Sequence, residues 1–180
     1  SLQDWWVCEK LLRRRRLVFR VSGNREIGMG HIYRALALAH EFSDHEVLFV
    51  TDTRNRVAAE TIVKHDYWLG VYTPAEVIHR IADLQPDMVI NDVLDTTKKD
   101  VCALKNSGAI VVSFEDLGSG ARYTDLTVNE LYDVPQFEGG HVLWGHKYFF
   151  LRDEFQMARP HRFKKRVEAV MLAFGGTDQH

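Results

Sequence analysis

A histidine directly after a glycine-rich loop is the residue of this sequence best suited to acid–base chemistry. His31 follows Gly28, Met29 and Gly30 and stands where a helical spacing of apolar residues begins. The positive end of a helix dipole disfavours the imidazolium form, and a neutral histidine can act as a general base near pH 7. The glycines let backbone N–H groups approach a ligand. The alternative is a histidine that only caps the helix or packs against the loop.

The same loop partly matches the dinucleotide-binding pattern G-x-G-x-x-G. Asp52 stands where the ribose-binding acid of that pattern would be, but Tyr33 occupies the third glycine position. A tyrosine there prevents the close helix packing that the pattern requires. We therefore favour histidine chemistry over a dinucleotide site.

Polar residues end the neighbouring strand candidates; they are Asp52, Asn91, Asp92, Glu115, Asp116 and Asn129. The carboxyl ends of parallel strands share one edge of a sheet, where ligands bind, so we expect these residues to converge with His31. The acids could bind ligand hydroxyls or amides, could orient His31, or could be ordinary helix N-caps. Arg34 lies about one helical turn beyond His31, and it either binds a polar or anionic group or pairs with one of the acids.

Short apolar runs alternate with helical patterns and predict the elements that position these residues. The strand candidates are 17–21, 47–50, 68–72, 88–90, 110–114, 126–128 and 142–144. Helical patterns begin at His31 and at Pro74 and cover 57–64 and 99–106. Continuous apolar strands separated by helices predict an α/β, Rossmann-like parallel sheet with helices on both faces.

Both ends of the chain lie outside this predicted sheet. Residues 1–16 combine a short helical pattern with a run of four arginines, which we interpret as the tail of a preceding domain and a solvated linker. Residues 17–157 form the predicted Rossmann-like domain, and 158–166 form a basic connector. Residues 167–180 read as the first strand and glycine turn of a second α/β domain that the chain does not complete. We interpret this ending as a truncation.

Composition and charge restrict the classes of function. The 180 residues carry a formal net charge of -2, so no general attraction to nucleic acid or an anionic membrane is expected. Two distant cysteines, Cys8 and Cys102, predict neither a disulfide framework nor a zinc site. No apolar run reaches the ~20 residues of a membrane helix, and charged residues interrupt any signal-peptide pattern. We expect a soluble cytoplasmic protein.

Five motifs follow one another along residues 17–180. They are Gly28-Met29-Gly30-His31 with Arg34, Phe114-Glu115-Asp116-Leu117-Gly118, Val128-Asn129, Gly145 with Tyr148, Leu151, Arg152 and Phe155, and Phe174-Gly175-Gly176-Thr177-Asp178. In order and spacing they resemble the UDP-sugar hydrolases of pseudaminic acid biosynthesis and related spore-coat polysaccharide proteins. The family is in turn similar to inverting glycosyltransferases with two Rossmann domains.

The resemblance implies the N-terminal half of a two-domain, glycosyltransferase-B-like enzyme. Such an enzyme hydrolyses a UDP-linked diacetamido-trideoxy sugar to free sugar and UDP without a metal or other cofactor, and the family's catalytic histidine falls on His31. We assign substrate binding to Gly28, Met29, Gly30, Arg34, Asn91, Asp92, Glu115, Asp116 and Asn129. Most UDP contacts belong to the C-terminal nucleotide-binding domain, of which only Gly175, Gly176, Thr177 and Asp178 are present. We therefore expect the chain alone to be inactive.

Other functions are compatible with the same residues. An acceptor hydroxyl could replace water, which gives an inverting glycosyltransferase, or the domain could bind a sugar nucleotide without turnover. Residues 4–12 resemble the last helix of a sugar cytidylyltransferase, which implies fusion to such a domain. The family usually has an acid where Asn24 stands and often has aspartate where Glu115 stands, so the sugar itself is left open.

Overall fold

A computed structural model describes residues 1–24, 26–139, 141–151, 155, 157–159, 166–167 and 169–171 of the protein. The predicted nucleotide-binding residues Gly175, Gly176, Thr177 and Asp178 lie outside this part of the chain, as does Arg152. Among the described residues, no helix is long and apolar enough to cross a membrane.

The described residues form one seven-stranded parallel sheet in the order β3-β2-β1-β4-β5-β6-β7. The strands are β1 Arg16–Val21, β2 Glu46–Asp52, β3 Trp68–Tyr72, β4 Met88–Asp92, β5 Ile110–Phe114, β6 Leu126–Asn129 and β7 Val142–Trp144. The helices are α1 Leu2–Leu12, α2 Gly30–Glu41, α3 Arg56–Val63, α4 Val77–Asp83 and α5 Lys98–Asn106. The Rossmann-like α/β fold and the seven strand candidates between residues 17 and 144 are thus confirmed. Most of the strand predicted within residues 167–180 lies outside the described residues, and 167 and 169–171 are not in a strand.

The central strands carry apolar side chains on both faces because helices cover both faces of the sheet. Phe19 and Ile90 pack with α2 and α3 in one core cluster. Val18 and Val89, each one residue away in the same strands, pack with α4 and α5 in a second cluster. Successive side chains of a strand point to opposite faces, so β1 and β4 contribute to both cores.

Two boundaries differ from the sequence prediction. Helix α4 begins at Val77 rather than at Pro74, because the carbonyl of Thr73 accepts from the backbone N–H groups of Glu76 and Val77 and closes a turn first. Arg16, assigned to the linker, is the first residue of β1, and its guanidinium donates to Glu46 on β2 at 2.9 Å.

The direction in which successive strands are added to the sheet reverses between β1 and β4. The candidate site lies near this reversal. Strand β1 leads to β2 on one side, whereas β4 lies on the other side of β1. The loops after such a pair diverge and leave a crevice at the carboxyl ends of the strands. The loop from β1 to α2, which leads directly to His31, lies at this crevice.

Candidate active site

The loop between β1 and α2 is held by hydrogen bonds that its own sequence supplies. The side-chain oxygen of Asn24 accepts from the backbone N–H groups of Glu26 and Ile27, at 2.9 and 3.1 Å. Gly28 closes the turn with a φ of 79°, which favours glycine. At Gly23 a Cβ would lie 2.6 Å from Ile32 of α2, so only glycine allows the helix to start this close to the strand.

His31, in the first turn of α2, lines a cavity of about 660 Å³. The wall is largely apolar and aromatic; it includes Ile27, Tyr33, Leu94, Leu131, Tyr132, Phe149, Phe150, Leu151 and Phe155. The ionisable side chains of this wall are His31, Arg34, Glu115 and Glu130. A mostly apolar pocket with a few converging polar groups is the usual form of a small-molecule site.

Asp92, the last residue of β4, orients the imidazole of His31. Its Oδ1 lies 2.6 Å from Nδ1 of His31, and the carboxylate is fully buried behind the ring. A carboxylate can only accept, so Nδ1 is the donor, and in the neutral form of the ring the lone pair lies at Nε2. A base oriented by a buried acid is the arrangement that activates a nucleophile in hydrolytic enzymes.

Arg34 forms a two-pronged ion pair with Asp92. Its Nε and Nη2 donate to the two carboxylate oxygens of Asp92, at 2.8 and 2.7 Å. Burial opposes the charge of Arg34, but the hydrogen bonds and charge of Asp92, together with Glu130, raise its pKa above the ordinary value. Nη2 also lies 3.4 Å from Nδ1 of His31, but the shorter contact to Asp92 decides the direction of the histidine hydrogen bond.

Glu130 completes this group and was missed by the sequence analysis. It is 5% exposed, and its Oε1 accepts from Nη1 of Arg34 at 2.7 Å. The sequence signal was only an acid directly after the strand ending at Asn129. Its partner lies 96 positions away, so nothing local connects the two. Arg34 therefore pairs with Asp92 and Glu130, and not with Glu115 or Asp116.

Glu115 lies in a left-handed backbone conformation, with a φ of 49°, at the end of β5. Its Oε1 accepts from the backbone N–H groups of Glu130 and Leu131, at 2.6 and 3.3 Å. Its Oε2 is buried without a hydrogen-bond partner in the described part of the chain. Burial raises the pKa of this carboxyl above the ordinary value of 4.5.

The raised pKa of Glu115 predicts a pH-dependent effect of the Glu115→Gln substitution. The folded protein holds this proton more tightly than the unfolded chain, so the contribution of Glu115 to stability is present below pH 4.5 and is lost as the pH rises through the raised value. Relative to the wild type, the variant should become more stable as the pH is raised from about 4 to 7. Urea unfolding at several pH values measures this, with the exposed Glu138→Gln as control. A difference that is constant or falls with pH would contradict it.

Asp116 and Asn129 are committed to contacts within the fold. Oδ1 of Asp116 accepts from the backbone of Thr96 at 3.0 Å, and its own N–H donates to Oδ1 of Asn129 at 2.9 Å. Asn129 in turn donates to the carbonyl of Asp116 at 3.1 Å. Both side chains are fully buried, and they tie the end of β5 to β6 and to the loop after β4.

The remaining predicted residues are distributed around the cavity rather than gathered in it. Asn91 lies on the opposite face of the sheet from Asp92, and its amide donates to Ser113 at 3.4 Å. Gly28 shapes the loop, and Met29 packs against the core. Asp52 lines a neighbouring polar cavity and pairs there with Arg54. The cavity wall thus includes Gly30, His31, Arg34 and Glu115 of the predicted site residues.

No cluster of histidine, cysteine, aspartate and glutamate in the described residues could hold a metal ion. His31, Asp92, Arg34 and Glu130 are joined to one another instead. All four side chains already have short hydrogen bonds to charged partners. The chemistry that this group can perform is proton transfer at Nε2 of His31.

Comparison with known proteins gives two relatives, and no family model matches the chain. The chain is 29% identical over 172 residues to the UDP-2,4-diacetamido-2,4,6-trideoxy-beta-L-altropyranose hydrolase of Campylobacter jejuni, and the match covers 91% of this chain and 61% of that protein. This chain is a distant relative of a UDP-sugar hydrolase. It is also 27% identical over 173 residues to an uncharacterized protein of Methanocaldococcus jannaschii, with 87% of this chain and 36% of the relative covered.

The chain therefore spans only about three fifths and one third of the length of these two relatives. At this level of identity the comparison supports a distant relationship to a hydrolase of a UDP-sugar. Neither relative is named as a sugar cytidylyltransferase, so fusion to such a domain stays a prediction from the short N-terminal motif.

Proposed function

We propose that this chain is the sugar-binding half of an enzyme that hydrolyses a UDP-activated diacetamido-type sugar to free sugar and UDP. The observation that carries the proposal is His31, which is held by the buried Asp92 at the edge of the largely apolar cavity. The distant relation to a UDP-sugar hydrolase supports the same reaction class. Nonulosonic acid or surface polysaccharide biosynthesis is the corresponding setting.

In this reaction Nε2 of His31 removes a proton from water while the water oxygen attacks the anomeric carbon of the sugar. The bond between that carbon and the diphosphate oxygen breaks, and UDP leaves with the electron pair. His31 is then an imidazolium, stabilised by the carboxylate of Asp92, and it returns its proton to solvent. UDP is a good leaving group, so positioning and a base supply most of the catalysis required.

The wall of the cavity suits an N-acylated deoxy sugar. Phe149, Leu151 and Leu94 offer apolar contacts for acetyl methyl groups and for a carbon that has lost its hydroxyl. The polar groups that face the same space, His31 and Glu115, can meet the reacting water and an amide or hydroxyl hydrogen. A fully hydroxylated hexose would leave several hydroxyl groups against this apolar wall, at a cost in binding free energy.

The diphosphate and uridine are proposed to bind a C-terminal domain that begins with the motif from Gly175 to Asp178. The 180-residue chain should then bind UDP only weakly, with a dissociation constant of about 1 mM or higher. Titration calorimetry with UDP measures this directly. Micromolar binding by residues 1–180 would place the nucleotide site in the described domain and contradict the proposal that the C-terminal domain binds UDP.

The reaction is tested with the full-length gene product and a UDP-diacetamido-trideoxy sugar in water enriched with oxygen-18. We expect release of UDP without any added acceptor, and UDP that contains no heavy oxygen, because the bond that breaks is the one to the sugar carbon. Heavy oxygen in the phosphate would indicate attack on phosphorus and contradict the mechanism. Release that depends strictly on an added sugar or lipid would favour a glycosyltransferase, and binding without release would indicate a non-catalytic module.

A further inference from the structure

We propose that Glu130 is a positioning residue that links the base, through Arg34 and Asp92, to the aromatic wall of the cavity. The role rests on the proposed function, in which His31 becomes an imidazolium during the reaction. Glu130 is the only acid of this group with its two oxygens on two different parts of the site, within the described residues.

The two oxygens of Glu130 hold two elements that are far apart in sequence. Oε1 accepts from Nη1 of Arg34 at 2.7 Å, and Oε2 accepts from the backbone N–H of Phe150 at 2.9 Å. The backbone N–H of Glu130 itself donates to Oε1 of Glu115 at 2.6 Å. Each bond has a charged acceptor, and bonds of this kind are stronger than those between neutral groups.

The contact with Phe150 fixes one wall of the cavity. Phe149 and Leu151, its neighbours in the chain, also line the cavity that contains His31. This segment follows a short 3₁₀ turn at His146–Tyr148, and the bond to Glu130 lies directly after it. Loss of that bond leaves a backbone N–H without its acceptor and lets the wall move away from the sugar.

The contact with Arg34 balances the charge of the base. In the resting state the buried group contains the carboxylates of Asp92 and Glu130 and the guanidinium of Arg34, a net charge of about −1. When His31 takes the proton of water, these four side chains become neutral together. Without the charge of Glu130, Arg34 already neutralises Asp92, and the imidazolium is left without compensation.

Glu130→Gln separates this role from a purely structural one, with the exposed Glu138→Gln as a control of equal charge change. A glutamine has one acceptor oxygen and cannot serve both Arg34 and Phe150. We expect kcat/KM for UDP release to fall on the order of 10²-fold through both a lower kcat and a higher KM, the size of effect that follows a small misplacement of catalytic groups. The acid limb of the pH–rate profile should move to lower pH. The charged groups that face His31 are Asp92, Arg34, Glu115 and Glu130.

Glu130→Asp keeps the charge but is one methylene shorter. It therefore separates the effect of the charge from the effect of the hydrogen bond to Phe150, also if the glutamine variant does not fold. We expect the aspartate variant to retain the acid limb of the wild type while the amide hydrogen of Phe150 exchanges faster with solvent. That exchange, followed by NMR in the 180-residue chain, does not depend on turnover. If the full-length gene product releases no UDP, the proposed function fails, while faster Phe150 exchange in both variants still supports the link. Wild-type exchange, KM and pH profile in both variants would overturn it.

Discussion

Replacement of His31 by alanine is expected to lower UDP release by about 10²- to 10⁴-fold, the range that a positioned general base contributes. The alanine removes Nε2, which accepts the proton of water, but leaves the Asp92–Arg34–Glu130 group and the apolar wall in place. KM should therefore change much less than kcat. Steady-state release of UDP by the full-length gene product measures both constants. Unchanged turnover would remove His31 from the mechanism.

His40→Ala is the matched control for this experiment. His40 lies on the same helix, α2, but on its exposed face near the C-terminal end. Added imidazole distinguishes a role as base from a structural role of His31, because imidazole can enter the space left by the ring and act as an external base. Partial recovery of activity in the His31→Ala variant, and no effect on the control, is the expected result. A loss that imidazole does not reverse while the variant also loses ligand binding would indicate a structural role.

Asp92→Asn is expected to have an effect as large, about 10³- to 10⁴-fold on kcat, although Asp92 does not line the cavity. Both carboxylate oxygens of Asp92 accept from Arg34, and Oδ1 also contacts Nδ1 of His31. An asparagine that places its amide nitrogen at the Oδ1 position has only a donor facing that ring nitrogen. The ring must then accept at Nδ1 and carry its proton at Nε2, the wrong nitrogen for a base. The variant should thus bind the sugar nucleotide nearly normally and turn it over poorly.

The same substitution is expected to lower the free energy of unfolding by about 3–5 kcal/mol, since it removes one charge of a buried pair. Asp92 is fully buried, and Arg34 would keep only Glu130 as a charged partner. Urea unfolding measures the loss, and the exposed Asp83→Asn serves as the control. Wild-type kcat in a folded Asp92→Asn variant would show that the carboxylate does not orient the base.

The sequence was sufficient to predict the sheet and the position of His31. Apolar runs such as 17–19 and 88–90 are removed from water when both faces are covered, and this condition leads to a parallel sheet with helices on each side. The glycines at 28 and 30 and the helical spacing after them locate the first turn of α2. Both inferences depend on residue patterns within single segments, and such patterns do not require contacts between distant segments to be known.

The pairing of side chains could not be predicted, because it depends on contacts between distant segments. Glu130 meets Arg34 only after β6 is placed beside β5, and Asp116 meets Asn129 for the same reason. The alternation of side chains along β4 did contain one usable signal. Asn91 and Asp92 are neighbours in a strand, so only one of them can face α2 and reach His31.

The most direct test of the account is the tautomer of His31 in the 180-residue chain. Nitrogen-15 NMR of a histidine-labelled sample distinguishes a protonated from an unprotonated ring nitrogen, and the spectrum of His31→Ala assigns the signals. We predict that the neutral ring of His31 carries its proton on Nδ1, bonded to Asp92, and is unprotonated at Nε2. A ring that is protonated at Nε2 in the folded wild-type protein would contradict its assignment as the base.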